Sequence, residues 1–322
     1  MILLGTSGYS FPDWGGVFYP PGLDRSKMLD YYVRQFKAVE VNSTYYRIPP
    51  PSTFAAMERK TPADFEFVVK VHHDMTHAQT RDPEAYAAFH AALEPLRRAR
   101  KLSGVLAQFP QAFHRSEDNE QFLLELQERM EGVPLFVEFR HNSWMKEDVF
   151  DLLERESLGY VSVDEPDLPG LLPRVARATG PLAYVRFHGR NKKNWYDGVP
   201  RGGYEGPGHK VPRGKVEGPG VKTPPREREG PGVKAPPRER EGPGVKAPPR
   251  ERDRRLLRYD YLYSEAELKE WADKIRALNQ KTEKTFVFFN NCHAGQAATS
   301  AKLMRRLLDM PEPHLAEQTG LL

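Results

Sequence analysis

The sequence predicts an α/β fold, a closed (β/α)₈ TIM barrel that forms a single domain. Eight short apolar segments with the two-residue alternation of β-strands are spaced along the chain, and nearly all precede a segment with helical periodicity. Without the repetitive block at 205–252, the 322-residue chain is close to the roughly 250 residues typical of such a barrel. A doubly wound open sheet is the alternative. The lack of a GxGxxG motif after the first strand argues against a dinucleotide-binding version of it.

The predicted strands are short runs rich in valine, phenylalanine and leucine, and four of the eight end in a polar residue. In chain order they are Ile2–Leu4, Lys37–Val41, Phe65–Val71, Gly104–Phe109, Leu135–Arg140, Gly159–Asp164, Leu182–His188 and Thr285–Asn290. Strands that alternate with helices in this way favour a parallel sheet.

Helix starts are marked by caps and prolines. Ser52 caps one helix, Pro83 occupies the first turn of another, and Ser264 with Glu267 forms a capping box. The predicted helices are Lys27–Phe36, Ser52–Lys60, Asp82–Arg98, Ser116–Met130, Lys146–Glu156, Ser264–Leu278 and Ala294–Leu308. The segment Leu168–Ala178 is predicted to be irregular or a short helix.

A block of four 12-residue repeats, Glu205–Arg252, follows the seventh strand. It is rich in proline, glycine and charge and has almost no apolar side chains, so it cannot bury enough surface to offset the entropy of ordering. We predict a disordered insertion, with the barrel formed by 1–204 and 253–322, and we expect its deletion to leave folding intact. A repeat fold is disfavoured because no copy carries a hydrophobic face.

The charge balance depends on that block. Its twelve lysines and arginines face seven glutamates, so its +5 exceeds the +4 of the whole chain and leaves the rest slightly negative. Overall basicity is therefore weak support for nucleic-acid binding. No apolar run approaches the roughly 20 residues of a spanning helix. The start has no signal-peptide pattern, and the single cysteine, Cys292, excludes a disulfide framework. We expect no membrane partner and a cytoplasmic location.

Polar residues at the strand ends give the main functional clue. Residues two apart on a strand point the same way, and the positions between them are valine or phenylalanine, which would pack under the helices. The polar set should then point into the barrel at its carboxyl-terminal mouth, where active sites of TIM barrels lie. It comprises Glu40, Asn42, Lys70, Gln108, Glu138, Arg140, Asp164, Arg186, His188 and Asn290. A mutually neutralised ion network that plugs the barrel is the alternative.

Three aromatic residues in the loops after strands one, two and five could stack on a base or a sugar: Trp14, Tyr45 and Trp144. They could equally pack their loops onto the barrel. Arg190, after strand seven, suggests an anion site together with Arg186, since loops there often hold phosphate. A solvated basic loop is the competing interpretation.

Other chemistry is less well supported by the pattern. A divalent metal could use Glu40, Glu138, Asp164 and His188, but no HxH or HExxH spacing supports a metal site. Cys292 lacks an identified base and is more simply a packing residue. Lys70 could form a Schiff base, although nothing local indicates a lowered pKa.

Several motifs occur in a fixed order along the chain: Gly5–Tyr9, Val39–Tyr46, Phe67–Lys70, Val137–His141, Val185–Arg190, Arg258–Tyr261 and Phe289–Asn291. Together they resemble the YecE-like family, catalogued as domain of unknown function seventy-two. The resemblance spans nearly the whole chain outside the repeats and implies a TIM barrel whose role is not established. It also implies similarity in shape to apurinic endonucleases and sugar isomerases. Too few histidines stand at the strand ends here for their three-metal chemistry.

Two functions remain open at this stage. The first is an enzyme, of hydrolase, isomerase or lyase type, acting on a phosphorylated, sugar-like or nucleic-acid substrate. Glu138 or Asp164 would be the base and His188 an acid or base, while Lys70, Arg140 and Arg186 would stabilise negative charge. Gln108 and Asn290 would orient the substrate. The second is a non-catalytic nucleic-acid-binding protein that uses rim cations and the aromatic residues.

Overall fold

The chain forms a barrel of eight parallel strands, as predicted. The structure is a computed structural model and describes residues 1–196 and 257–313. The strands are β1 (Ile2–Thr6), β2 (Ala38–Val41), β3 (Glu66–Lys70), β4 (Leu102–Gln108), β5 (Leu135–Glu138), β6 (Gly159–Asp164), β7 (Leu182–Phe187) and β8 (Lys284–Phe289). Their order, β1-β8-β7-β6-β5-β4-β3-β2, places each strand beside its neighbour in sequence and β8 beside β1.

The first and second strands close the barrel through a short contact. Ser7 forms a parallel bridge with Glu40, and the Gly8 N–H donates to the Glu40 carbonyl oxygen over 2.8 Å. The polar end of β2 therefore lies at the seam, next to the first loop.

The helices of the described residues surround the barrel. They are α1 (Met28–Tyr32), α2 (Pro51–Arg59), α3 (His73–Thr76), α4 (Pro83–Arg98), α5 (Glu117–Arg129), α6 (Glu147–Arg155), α7 (Glu265–Lys281) and α8 (Gln296–Leu307). The capping box of Ser264 and Glu267 is present. Residues 168–178 form no helix. None of the helices in the described ranges is long and apolar enough to cross a bilayer.

The lower half of the barrel interior is filled by aromatic rings. Phe136 packs edge-on against Tyr184 and lies near Phe286. The Phe136 ring has room because two neighbouring residues lack a side chain. A Cβ added at Gly104 or at Gly159 would come within 2.6 or 2.5 Å of that ring. The barrel is thus a packed core below the mouth.

The amino-terminal end of the barrel is closed by an ion pair. Lys284 Nζ on β8 lies 2.7 Å from Glu66 Oε1 on β3, and the Ser103 hydroxyl donates to Glu66 Oε2. The predicted insertion at 205–252 lies outside the described residues, so its predicted disorder and its boundaries remain predictions.

Candidate functional site

Arg186 is the centre of the interior ion network. Its Nε and Nη2 donate to the two carboxylate oxygens of Glu40 over 2.8 and 2.6 Å, and its Nη1 donates to Glu138 Oε2 over 2.5 Å. The Tyr184 hydroxyl also donates to Glu40. All four side chains are fully buried. Two carboxylates around one guanidinium keep the charges compensated at the depth of the barrel where water is excluded.

A second guanidinium extends this network towards the mouth. Arg140 Nε lies 2.7 Å from Glu138 Oε1, although it is not aligned for a hydrogen bond, and Arg140 Nη1 donates to Glu165 Oε2 over 3.2 Å. Burial alone would raise the pKa of Glu138, but Arg140, Arg186 and His188 together hold it well below its usual range. Glu138 is therefore an ionised partner of two arginines, which makes it a poor general base.

His188 is enclosed between Glu138 and Asn290. Its Nε2 lies 3.1 Å from Glu138 Oε1 and its Nδ1 lies 3.0 Å from Asn290 Nδ2. Burial, with Arg140 next, lowers the pKa of His188 well below its usual value, so the ring is neutral at pH 7. Arg140 Nη2, which can only donate, lies 3.2 Å from the same Nε2, so this nitrogen contacts one acceptor and one donor, while Nδ1 faces the Asn290 amide N–H groups. Because His188 is fully buried, it is placed to orient neighbours.

Lys70 differs from the other interior charges. Its Nζ donates to Gln108 Oε1 over 2.9 Å and lies 4.3 Å from the centre of the Tyr45 ring. Within residues 1–196 and 257–313, no carboxylate forms an ion pair with it, whereas the buried acids and arginines of the network pair with each other. The Lys70 side chain is only partly buried and stands at the carboxyl end of β3.

The environment of Lys70 makes its amine unusually easy to deprotonate. Burial, followed by the nearby charge of Arg186, lowers the pKa of Lys70 to about 7, although Glu138 and Glu40 oppose the shift. More of the Lys70 amine is then neutral at pH 7 than of an ordinary lysine, whose pKa is about 10.4. A neutral amine is a nucleophile and a base, which an ordinary surface ammonium is not.

Glu165 is the second group whose proton affinity lies near neutrality. Burial raises the pKa of Glu165 to about 7, although Arg140 and the Leu172 N–H, which donates to Glu165 Oε1 over 2.9 Å, oppose the shift. Glu165 follows the last residue of β6 and was not among the predicted site residues. A carboxyl that exchanges a proton near pH 7 suits acid–base chemistry.

The prediction that Asp164 points into the mouth is wrong. Asp164 Oδ2 accepts from Trp271 Nε1 over 2.6 Å, and its Oδ1 accepts from the Tyr263 hydroxyl over 2.7 Å. Both partners lie in or just before α7, so this carboxylate faces the helix layer. Arg190 forms an ion pair with the same carboxylate, and its Nη2 lies 2.7 Å from Asp164 Oδ2. On β6 the inward positions belong to the two valines, Val161 and Val163, because Tyr160 packs outward on Phe150.

Two of the three predicted stacking residues are structural. Trp14 is fully buried and its Nε1 donates to the Cys292 carbonyl oxygen over 2.6 Å. Trp144 is fully buried between the Phe113 and Phe139 rings. The third residue, Tyr45, is also buried, with 8% of its surface exposed, and its ring centre lies 4.3 Å from Lys70 Nζ.

Two residues near the start of the second described range, Arg258 and Tyr259, lie close to His188. The Tyr259 ring lies 6.3 Å from the His188 ring, and the Arg258 guanidinium lies 4.8 Å from the centre of the Tyr259 ring. Arg258 Nε is buried and has no hydrogen-bond partner among the described residues. The same holds for Asn42 Oδ1, two residues after Glu40. Seven further buried side-chain atoms of the described residues share this property, among them Gln127 Oε1 and Asn279 Oδ1.

The metal ligands considered from the sequence do not form a site, because Asp164 faces outward and Glu40 and Glu138 bind guanidinium groups. In the part of the chain that the structure describes, His72, His73 and Asp74 bring three ligand atoms within 4.8 Å of one another. Asp74 lies 2.9 Å from His73 Nδ1, and the Asp74 N–H donates to His72 Nδ1, so these nitrogens already have partners.

Comparisons with known proteins agree with the fold. The family described as "Protein of unknown function DUF72" matches residues 3–207 and 241–320. The chain is 30% identical to the UPF0759 protein YunF of Bacillus subtilis strain 168 over 98% of both proteins. It resembles the crystal structure of a DUF72 family protein from Thermotoga maritima MSB8 with a TM-score of 0.73 at 37% identity, covering 96% of this chain and 99% of that one.

A DUF72 family protein from Enterococcus faecalis V583 is similar in fold, with a TM-score of 0.73 at 23% identity over 97% of this chain and 96% of that one. The motifs that suggested the YecE-like family are thus confirmed by a family match along most of the chain. The chain belongs to the DUF72 family of proteins of unknown function.

Proposed function

We propose that the protein is an enzyme that binds a small anionic, sugar-like compound at the carboxyl-terminal mouth of the barrel, with Lys70 as the reacting group. The observation that carries the proposal is the Lys70 amine, which is partly accessible and is held by Gln108 and Tyr45 rather than by a carboxylate. A structural ion network would pair every buried charge, as Arg186 and Arg140 do.

Glu165, a fully buried carboxyl bound to Arg140, is the second group that we assign to the site. Lys70 and Glu165 both exchange protons near pH 7, and Arg140 lies between Glu165 and the deeper network. A pair of groups with perturbed proton affinities in a concave site is typical of acid–base catalysis. We assign Lys70 as base or nucleophile and Glu165 as proton donor.

Anion binding is assigned to the arginine at the rim. Arg258 has a buried Nε without a partner among the described residues, and guanidinium groups match phosphate and carboxylate oxygens in pairs. Asn42 and Asn290, both half-buried, are assigned to the hydroxyl groups of the compound.

The nucleic-acid alternative has less support. It relied on Trp14, Tyr45 and Trp144 for base stacking. All three are buried, and Trp14 and Trp144 lie against other aromatic rings. It also relied on a positive groove, whereas the interior arginines are engaged with glutamates. A small ligand at Lys70 therefore explains more of the observations.

The test is binding of small anions to the intact chain. Melting temperature would be measured with inorganic phosphate, ribose 5-phosphate, dihydroxyacetone phosphate and pyruvate, for the parent, Lys70→Met and Lys284→Met proteins. Lys284 is the matched control because it lies in the same barrel at the opposite end, paired with Glu66.

We expect at least one compound to raise the melting temperature of the parent and of Lys284→Met but not of Lys70→Met. If no compound stabilises the parent, or if Lys70→Met is stabilised equally, the proposed site is wrong. Steeply salt-dependent binding of single-stranded DNA, with none of these compounds bound, would favour the nucleic-acid function instead.

A further inference from the structure

We infer that Lys70 forms a Schiff base with a ketone or aldehyde that carries a phosphate or carboxylate group. The inference rests on the proposed function, because it specifies the reaction at the same amine. Its geometric basis is that no carboxylate of the described residues forms an ion pair with Lys70 Nζ. One N–H of this amine donates to Gln108 Oε1 over 2.9 Å. The nitrogen lone pair remains for a carbonyl carbon that enters from the mouth.

The surroundings of Lys70 favour this reaction over simple charge stabilisation. The Tyr45 ring, 4.3 Å from Nζ, covers one side of the amine and limits its hydration. Poorly hydrated lysines next to other cations are the ones that react with carbonyl compounds. The lowered pKa of Lys70, about 7, follows from the same burial and the same neighbouring charge. This corrects the sequence-based reasoning that found no local reason for a lowered pKa.

The chemical step needs no further reactant. The nitrogen lone pair forms a bond to the carbonyl carbon, and the carbon–oxygen bond then breaks. In net terms the oxygen leaves as water with both hydrogens of the neutral amine, and a carbon–nitrogen double bond remains. Protonation of that nitrogen gives an iminium cation, which withdraws electrons from the adjacent carbon.

The charge of the iminium explains the substrate class. Arg186 and Arg140 both oppose positive charge at Lys70. An anionic group on the bound compound would offset that repulsion, so a charged carbonyl compound should react better than a neutral one. Arg258, with its unpartnered Nε, is the group assigned to hold that anion.

Reductive trapping tests the inference. The intact chain would be incubated with dihydroxyacetone phosphate, pyruvate or, as the uncharged comparison, dihydroxyacetone, and then treated with sodium borohydride. Intact mass and peptide mapping would follow. We expect one adduct per chain on Lys70, formed at least ten times faster than on Lys284, and slower with dihydroxyacetone. Lys70→Arg should abolish the adduct, and Lys284→Met should retain it.

The outcomes separate this inference from the proposed function. If a compound raises the melting temperature through Lys70 but no adduct forms there, the Schiff base is wrong and the binding site stands. If no compound binds and none is trapped, both fail. Labelling spread evenly over surface lysines also overturns the inference. Peptide mapping of the parent protein gives the answer even if Lys70→Arg does not fold.

Discussion

Arg186 and Glu40 face each other fork to fork inside the barrel, with the guanidinium Nε and Nη2 bound to the two oxygens of one carboxylate. They lie on strands β7 and β2, which are not neighbours in the sheet. The third donor of Arg186 binds Glu138 on β5. One side chain thus ties together three strands across the interior, and this part of the polar set resembles the plug considered from the sequence.

Removing Arg186 should be costly because it leaves two carboxylates buried without their cation. We expect Arg186→Met to lower the free energy of unfolding by about 3–5 kcal/mol, measured by urea denaturation. Lys37→Met is the control, since the Lys37–Asp64 ion pair is mostly exposed and should contribute little. Equal losses in the two variants would contradict the central role of Arg186.

Asp164 should contribute to the free energy of unfolding and not to the reactivity of Lys70. Asp164→Asn weakens the acceptor that Trp271, Tyr263 and Arg190 share, so we expect about 3 kcal/mol lower stability by denaturation. Borohydride trapping at Lys70 should keep its parental rate in the folded variant. A much lower rate of borohydride trapping at Lys70, with unchanged stability, would show that Asp164 does act in the site.

The reactivity of Lys70 should depend on pH in a different way from that of surface lysines. Competitive acetylation with acetic anhydride, resolved by peptide mapping, should show Lys70 half-reactive near pH 7, because burial and Arg186 lower its pKa to about 7. Exposed lysines should reach the same point near pH 10.4. If Lys70 follows the curve of the surface lysines, its amine is an ordinary ammonium.

Glu165 should give stability its own pH dependence. The folded-state pKa of about 7 lies above the ordinary 4.5, so the folded protein holds a proton that the unfolded chain has lost between these values. The contribution is complete below pH 4.5 and is lost as pH rises through 7, with a slope of up to about 1.4 kcal/mol per pH unit. We expect Glu165→Gln, compared with the parent by denaturation, to remove this slope. If the pH dependence of stability is unchanged in Glu165→Gln, the pKa of Glu165 is not raised in the folded protein.

The sequence predicted the barrel well because its signals are local. Alternating valines and phenylalanines identify the strands, and the capping box of Ser264 with Glu267 identifies a helix start. The inward polar positions on β2, β3, β5 and β7 follow from the same alternation. They meet across the barrel because closure brings the carboxyl ends of parallel strands together.

The predictions of side-chain orientation are wrong where a hydrogen-bond partner far away in the sequence determines that orientation. On β6 the alternation looked the same, but Asp164 turns outward because Trp271, more than a hundred residues later in the chain, supplies an N–H there. The next residue, Glu165, therefore points towards the barrel interior, where it pairs with Arg140. Likewise Trp14 donates to a carbonyl near the other end of the chain, so its burial could not be read from its own loop.

Among the described residues, the ion pair of Glu66 and Lys284 and the aromatic rings above it fill the amino-terminal half of the barrel interior. Under the proposed function, substrate and product would therefore share the carboxyl-terminal mouth. A product that lingers will therefore block the next molecule, and turnover should slow as product accumulates. For a reaction with two partners, the one that sits deeper has to arrive first and depart last.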